Sequence, residues 1–223
     1  NEAFISQTID ITELCKYIEE KNKGDVVIPY TVFHALIAAF CKTLVLRPEM
    51  NRFIKRKRVY HRNHISAAFT IKKQFNEKSH EALAFIPLGE EDNIDSIHKM
   101  LEKEITYCRS DKKDNTTDAM DMMKKLPFPI MSFIMCIYNL LDNFGLVPQS
   151  LIKTDPNQAT VFISNFGSIG LPAGYHHLSN WGTCSIFVVM GRYYDKNVIN
   201  EKGEVETRKF MNLGLTIDER ISD

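Results

Sequence analysis

The most pointed chemical feature of this chain is a carboxylate that follows the alternation of an apolar strand. In the run 210–223, FMNLGLTIDERISD, Met211, Leu213, Leu215 and Ile217 alternate with Asn212, Gly214 and Thr216. That is the period of a strand with a buried face. Continuing the same parity puts Glu219 on that face, where a carboxylate must be paired, hydrogen-bonded or protonated. The other reading ends the strand at Ile217 and leaves Asp218-Glu219-Arg220 in a solvated turn. Adjacent His176 and His177, in a glycine-rich stretch, are a second pair with acid–base potential; turn residues bonded to backbone are their alternative fate. His34 falls inside an apolar helical run and reads as a hydrogen-bonded core residue. His61-x-x-His64 is too short a constellation to argue a metal site. The basic run Lys55-Arg56-Lys57-Arg58 fits either a phosphate patch or a charged hairpin edge.

Composition narrows the classes. Of 223 residues, 44% are hydrophobic and 25% charged, which suffices for a real core. Basic and acidic residues number 28 each, so the chain offers no bulk attraction for nucleic acid or an anionic membrane. Its apolar runs, around 35–41 and 133–141, are far shorter than the roughly 20 residues of a membrane span. Cysteines 15, 41, 108, 136 and 184 form no CxxC pair, which suits reduced thiols in a cytoplasmic protein. Glycines 167, 170, 174 and 182 are too irregular for a phosphate-binding loop.

The elements that must position these residues follow from periodicity and punctuation. A short strand spans 3–9, and Asp10-x-x-Glu13 opens a helix that Lys23-Gly24 stops. A second helix, TVFHALIAAFCKTLVL, ends at Arg47-Pro48. The segments 52–60 and 64–75 read as a hairpin bending near Arg62-Asn63. A strand over 83–87 precedes an amphipathic helix capped by Asp92 or Asn93. Residues 109–121 read as a mobile loop. Pro127 and Pro129 open a helix, IMSFIMCIYNLLDN, whose methionines and aromatics suggest core packing. A strand at 161–163 leads into Ser164-Asn165-Phe166-Gly167, and a two-sided apolar strand from 184 to 190 begins the last hairpin, with 194–209 as its polar connection. Irregular alternation of strands and helices predicts an α/β two-layer sandwich, a mixed sheet covered by helices.

Several ordered blocks then carry a resemblance. TVFISNFGSIG, SIFVVMGRYY and the closing strand with DERISD resemble the catalytic domain of the acyltransferase subunit of 2-oxo-acid dehydrogenase complexes, whose fold chloramphenicol acetyltransferase shares. HALIAAFCKTL, RPEMNRFI and HISAAFTI resemble the family's preceding helix, Pro-x-x-Asn turn and strand. The resemblance spans about 8–223 and implies one catalytic domain over 1–223, without the family's C-terminal helix. The family signature is His-x-x-x-Asp-Gly, preceded by Asp and followed by Arg. Here Asp218 and Arg220 match, Asp223 matches the motif aspartate, and Glu219 occupies the catalytic histidine position. Ser164 falls where the family has the hydroxyl that stabilises the oxyanion. The resemblance further implies coenzyme A or an acyl-CoA as substrate, an acyl thioester with a thiol or small-molecule acceptor, no metal, no lipoyl attachment site in this chain, and a homotrimer with active sites between subunits.

In that family the histidine takes a proton from a thiol, the thiolate attacks a thioester, and the serine bonds the developing oxyanion. From reference pKa values, proton transfer from a thiol is uphill by about 3 kcal/mol to His and about 6 to Glu. Burial of the carboxyl can erase that deficit. Two functions are therefore expected: an acyltransferase with Glu219, His176 or His177 as base, or a non-catalytic relative serving as an acyl-CoA-binding or assembly module.

Overall fold

A computed structural model describes residues 1–72, 81–109, 126–148 and 155–222. Eight strands and four α-helices are described: β1 (Glu2–Asp10), α1 (Thr12–Lys21), α2 (Val32–Leu46), β2 (Arg52–Lys55), β3 (Arg58–His61), β4 (Ile65–Lys72), β5 (Glu81–Leu88), α3 (Ile94–Arg109), α4 (Phe128–Asn143), β6 (Val161–Asn165), β7 (Ile186–Ile199) and β8 (Val205–Asp218). Six of the strands form one mixed sheet in the order β1-β8-β7-β6-β4-β5. The pairs β4/β6 and β6/β7 are parallel and the others antiparallel. The architecture is the α/β sheet-and-helix arrangement that the sequence predicts.

One sheet face makes the core. Phe69 and Ile71 of β4, Ile163 of β6, Val188 and Met190 of β7 and Leu213 of β8 pack with Leu36, Ile37 and Leu44 of α2 and Ile97 and Leu101 of α3. Most of these side chains alternate along their strands, as one-sided burial requires. The other face is crossed by the segment 171–178. Its backbone lies so close to the sheet that a methyl at Gly191 would strike the Ala173 amide, and one at Gly214 the Gly174 carbonyl. The strands have glycine there because no side chain fits beneath the crossing chain.

Three expectations are corrected. The basic run does not edge a hairpin spanning 52–75; it is itself the tip of a separate hairpin, β2/β3, in which Arg56 and Lys57 adopt φ of 52° and 61°. A two-residue turn of that hand normally takes Asn-Gly, so the sequence hides it. Arg62 and Asn63 merely lead from β3 into β4. The final hairpin is far longer than the apolar alternation suggests, with β7 and β8 paired out to Ile199 and Val205. Finally, α4 buries none of its side chains. Phe128 (82% exposed), Phe133 (66%), Ile137 and Leu140 present an apolar surface that the described residues leave open. The expected mobile loop lies almost wholly outside the described residues.

Candidate active site

The parallel ladder between β4 and β6 ends at the pair Phe69–Ile163. Beyond it the strands part, and a cavity of about 530 Å³ opens at their carboxyl ends. Phe69 and Ile71 border it from the helix side of the sheet; Thr70 and Ser164 border it from the strand positions of opposite parity. The N-terminus of α2, the middle of α3 and the turn 166–169 complete the wall. Crevices outside the carboxyl ends of parallel strands are where open α/β sheets hold ligands. Ser164 is held there because β6 stops at Asn165, whose side chain accepts the Ser168 amide (3.1 Å) and forces the tight turn.

His34 is the packed, hydrogen-bonded core residue that the sequence predicts, but nothing in its pattern marked it as lining the site. It is 3% exposed and borders the same cavity. Its Nδ1 accepts the Thr31 amide at 3.0 Å and lies 2.9 Å from the Thr31 hydroxyl, an arrangement that caps α2. With Nδ1 accepting, the proton of the neutral ring sits on Nε2. That Nε2 is buried without a hydrogen-bond partner. Burial, with His98 only 5.1 Å away ring to ring, pushes the imidazole down to about 4, so it is neutral at physiological pH. The pattern of apolar neighbours identified a core histidine; it gave no sign of the orphaned nitrogen.

The carboxylate arrangement at the end of β8 differs from the parity reading. Asp218, the last strand residue, is buried, whereas Glu219 is exposed in the following turn. Arg220 grips Asp218 with two side-chain bonds, Nε to Oδ1 at 2.7 Å and Nη2 to Oδ2 at 2.6 Å, and its amide adds a third. Burial alone would raise the Asp218 carboxyl, but the bonds from Arg220 outweigh it and hold the group below the usual carboxylate range. The Glu219 amide bonds the Asn1 carbonyl at 3.2 Å. Asp223 lies outside the described residues.

The two histidines of the crossing segment are both exposed. His177 Nδ1 meets Glu2 Oε2 at 2.7 Å, and the second oxygen of Glu2 accepts the Leu178 amide. This pair holds the Glu2 carboxyl below its ordinary value, first through the His177 bond and then through the amide. The His176 ring stacks on Phe187 at 4.4 Å, and Phe187 stacks on Phe162. Ser164 is two residues beyond Phe162 on the same parity, so His176 shares a sheet face with it.

Ser164 and Glu219 do not meet in one chain. Ser164 is level with Val189 and Gly214, and Glu219 follows β8 five residues later. At about 3.3 Å per residue and about 4.8 Å per strand, they stand roughly 15–20 Å apart. Glu219 is absent from the described cavity wall. Among the described residues no group of three or more His, Cys, Asp and Glu side chains could hold a metal ion, and no helix is long and apolar enough to cross a membrane.

Residues 148–223 match the family model for 2-oxoacid dehydrogenases acyltransferase (catalytic domain). No curated protein matches the chain. Among solved structures, a probable dihydrolipoamide acetyltransferase from Listeria monocytogenes superimposes with a TM-score of 0.68 at 17% identity, over 100% of this chain and 77% of that one. The dihydrolipoamide acetyltransferase of Azotobacter vinelandii gives 0.67 at 15% identity, covering 100% and 74%. The cubic core of a pyruvate dehydrogenase multienzyme complex gives 0.67 at 15%, also covering 100% and 74%. The chain has the fold of the 2-oxo-acid dehydrogenase acyltransferase catalytic domain, and residues 148–223 carry that family's sequence pattern.

Proposed function

We propose that the chain moves an acyl group between thioester and thiol carriers, with coenzyme A as one carrier, as a single domain working in a homotrimer. The observation that carries this reading is Ser164 bordering a cavity at the carboxyl ends of β4 and β6, inside the segment that matches the acyltransferase model. Because Ser164 and Glu219 lie at opposite ends of the sheet, the reaction centre is assembled from Ser164 of one protomer and Glu219 of the next. The uncovered apolar face of α4 supports association with further copies. The Azotobacter protein has a serine, a histidine and an asparagine four residues after that histidine assigned to its catalytic mechanism. Glu219 and Asp223 keep that four-residue spacing.

In this reading Glu219 accepts the proton of the attacking thiol. The thiolate sulfur bonds to the thioester carbonyl carbon, and the carbonyl oxygen takes the charge while accepting a hydrogen bond from the Ser164 hydroxyl. Collapse breaks the original carbon–sulfur bond, and the leaving thiolate recovers the proton from Glu219. His176, on the Ser164 face, is the second candidate base; His177 is engaged by Glu2.

Thiol release from acetyl-CoA with dihydrolipoamide as acceptor tests the reading. Ser164→Ala should lower kcat by about a hundredfold or more. Glu219→Gln should abolish turnover with the fold intact, and Glu219→His should retain or raise it. Turnover unchanged in both Ser164→Ala and Glu219→Gln would sink the assignment. A second reading, an acyl-CoA-binding or assembly module, is favoured by the exposure of Glu219 and its place where the family has histidine. Calorimetric binding of coenzyme A by a wild type that releases no thiol would select it.

A further inference from the structure

We infer that Arg52 is a positioning residue for the proposed base: from the separate hairpin β2/β3 its guanidinium, oriented by His61, fixes the far limb of the turn that carries Glu219. The catalytic consequence rests on the thioester-transfer reading; the hold on the turn rests on its own contacts. Glu219 stands one residue past β8, where the ladder with β7 has ended. Those strands pair as far as Ile186–Ile217, and the Asp218 amide adds a last bond of 2.9 Å to the Ser185 carbonyl. The turn then closes with the Ile221 amide on the Asp218 carbonyl at 3.1 Å, and the Ile221 side chain, 1% exposed, enters the core. The exposed Glu219 is held between these two ends.

Arg52 reaches both ends. Its carbonyl accepts the Ser185 hydroxyl at 2.8 Å, and Ser185 is the residue whose carbonyl holds the Asp218 amide. Its Nη1 donates to the Ile221 carbonyl at 3.3 Å. Its Nε donates at 3.0 Å to Nε2 of His61, the residue directly opposite in the hairpin. A guanidinium is planar and carries its donors in a fixed fork, so the bond at Nε sets where the Nη edge faces. A side chain at 61 that could not accept there would leave the fork free to swing away from Ile221. Asp218 and Arg220 brace the near limb of the turn by their own pair. Arg52 braces the far limb from a hairpin that is no part of the main sheet. Displacing a reacting group by about 1 Å can cost on the order of a hundredfold in rate, so loss of this brace should show in turnover.

The experiment measures thiol release from acetyl-CoA to dihydrolipoamide by the whole protein, with hydrogen exchange at the amides of 219–221 read beside it. In Arg52→Ala, kcat should fall by about tenfold or more while KM stays within about threefold, and those amides should exchange faster. Methylguanidinium, well below denaturing concentration, should restore part of the lost kcat in Arg52→Ala and none in Glu219→Gln. His61→Gln, which keeps an acceptor opposite Nε, should stay near wild type, whereas His61→Phe should lose kcat as Arg52→Ala does. That pair serves where Arg52→Ala does not fold. A loss confined to KM, a kcat loss that only follows the folded fraction and is not rescued, or equal kcat in His61→Gln and His61→Phe would each overturn the inference. A wild type that releases no thiol removes the transfer reading, and the catalytic role of Arg52 with it. Unchanged exchange at 219–221 in an active Arg52→Ala protein removes the hold on the turn and leaves that reading standing.

Discussion

At the scale of single residues, His34 makes the chain's stability depend on pH in a calculable direction. Its folded value of about 4 lies below the ordinary 6.5 because burial, and then His98, disfavours the imidazolium. Below pH 6.5 the unfolded chain binds a proton that the folded chain refuses, so folding stability falls as pH drops from 6.5 toward 4. The full shift corresponds to about 3 kcal/mol. Urea unfolding at pH 7 and pH 4.5 should show a larger loss for wild type than for His34→Phe; parallel losses would contradict it. Asp218 acts in the same direction at lower pH, since its carboxyl is held below the usual range and its contribution is lost as pH falls through that folded value. Asp218→Asn should destabilise by about 1–3 kcal/mol, because Arg220 then faces a neutral amide in place of a paired carboxylate. Chemical denaturation at pH 7 measures this directly.

At the scale of elements, the crossing segment makes glycine obligatory at two strand positions. Gly214→Ala would place a methyl on the Gly174 carbonyl, and Gly191→Ala one on the Ala173 amide. Each should cost about 2 kcal/mol or more through backbone displacement, and both should disturb His176, which the same segment seats on Phe187. Thermal unfolding checks the first effect, and a ring-proton shift of His176 the second. The core strands and α1–α3 were legible in the sequence because one-sided burial imposes a period on them. The β2/β3 turn was not, because Arg56 and Lys57 occupy positions where glycine or asparagine gives the usual signal. The exposure of α4 was illegible for another reason: an apolar helix has the same sequence whether its own core or a second chain covers it. The cavity escaped because it arises where two strands part, and only the pairing of β4 with β6 discloses where that is.

At the scale of the whole molecule, the distance between Ser164 and Glu219 is what the proposed shared site has to bridge. The motif residues could be placed along the sequence by resemblance, but their separation follows only from the sheet order, in which β6 and the end of β8 point to opposite edges. In the proposed reaction the thiol that gives its proton to Glu219 attacks the carbonyl that Ser164 bonds, so both groups must reach one small reacting centre, which a single chain with this separation cannot provide. A closed ring of three copies can, with each protomer lending its serine to one site and its carboxylate to another. Light scattering should therefore give a trimer, and Phe133→Glu on the open face of α4 should weaken it toward monomer.

The most direct test of that shared site is complementation between two inactive variants. Ser164→Ala and Glu219→Gln, each silent in the thiol-release assay when pure, are co-refolded in equal amounts. If each site takes its serine from one protomer and its carboxylate from the next, random trimers contain intact sites at about a quarter of the wild-type number, and that share of activity returns. Mixed trimers that form yet release no thiol above either parent would contradict the account.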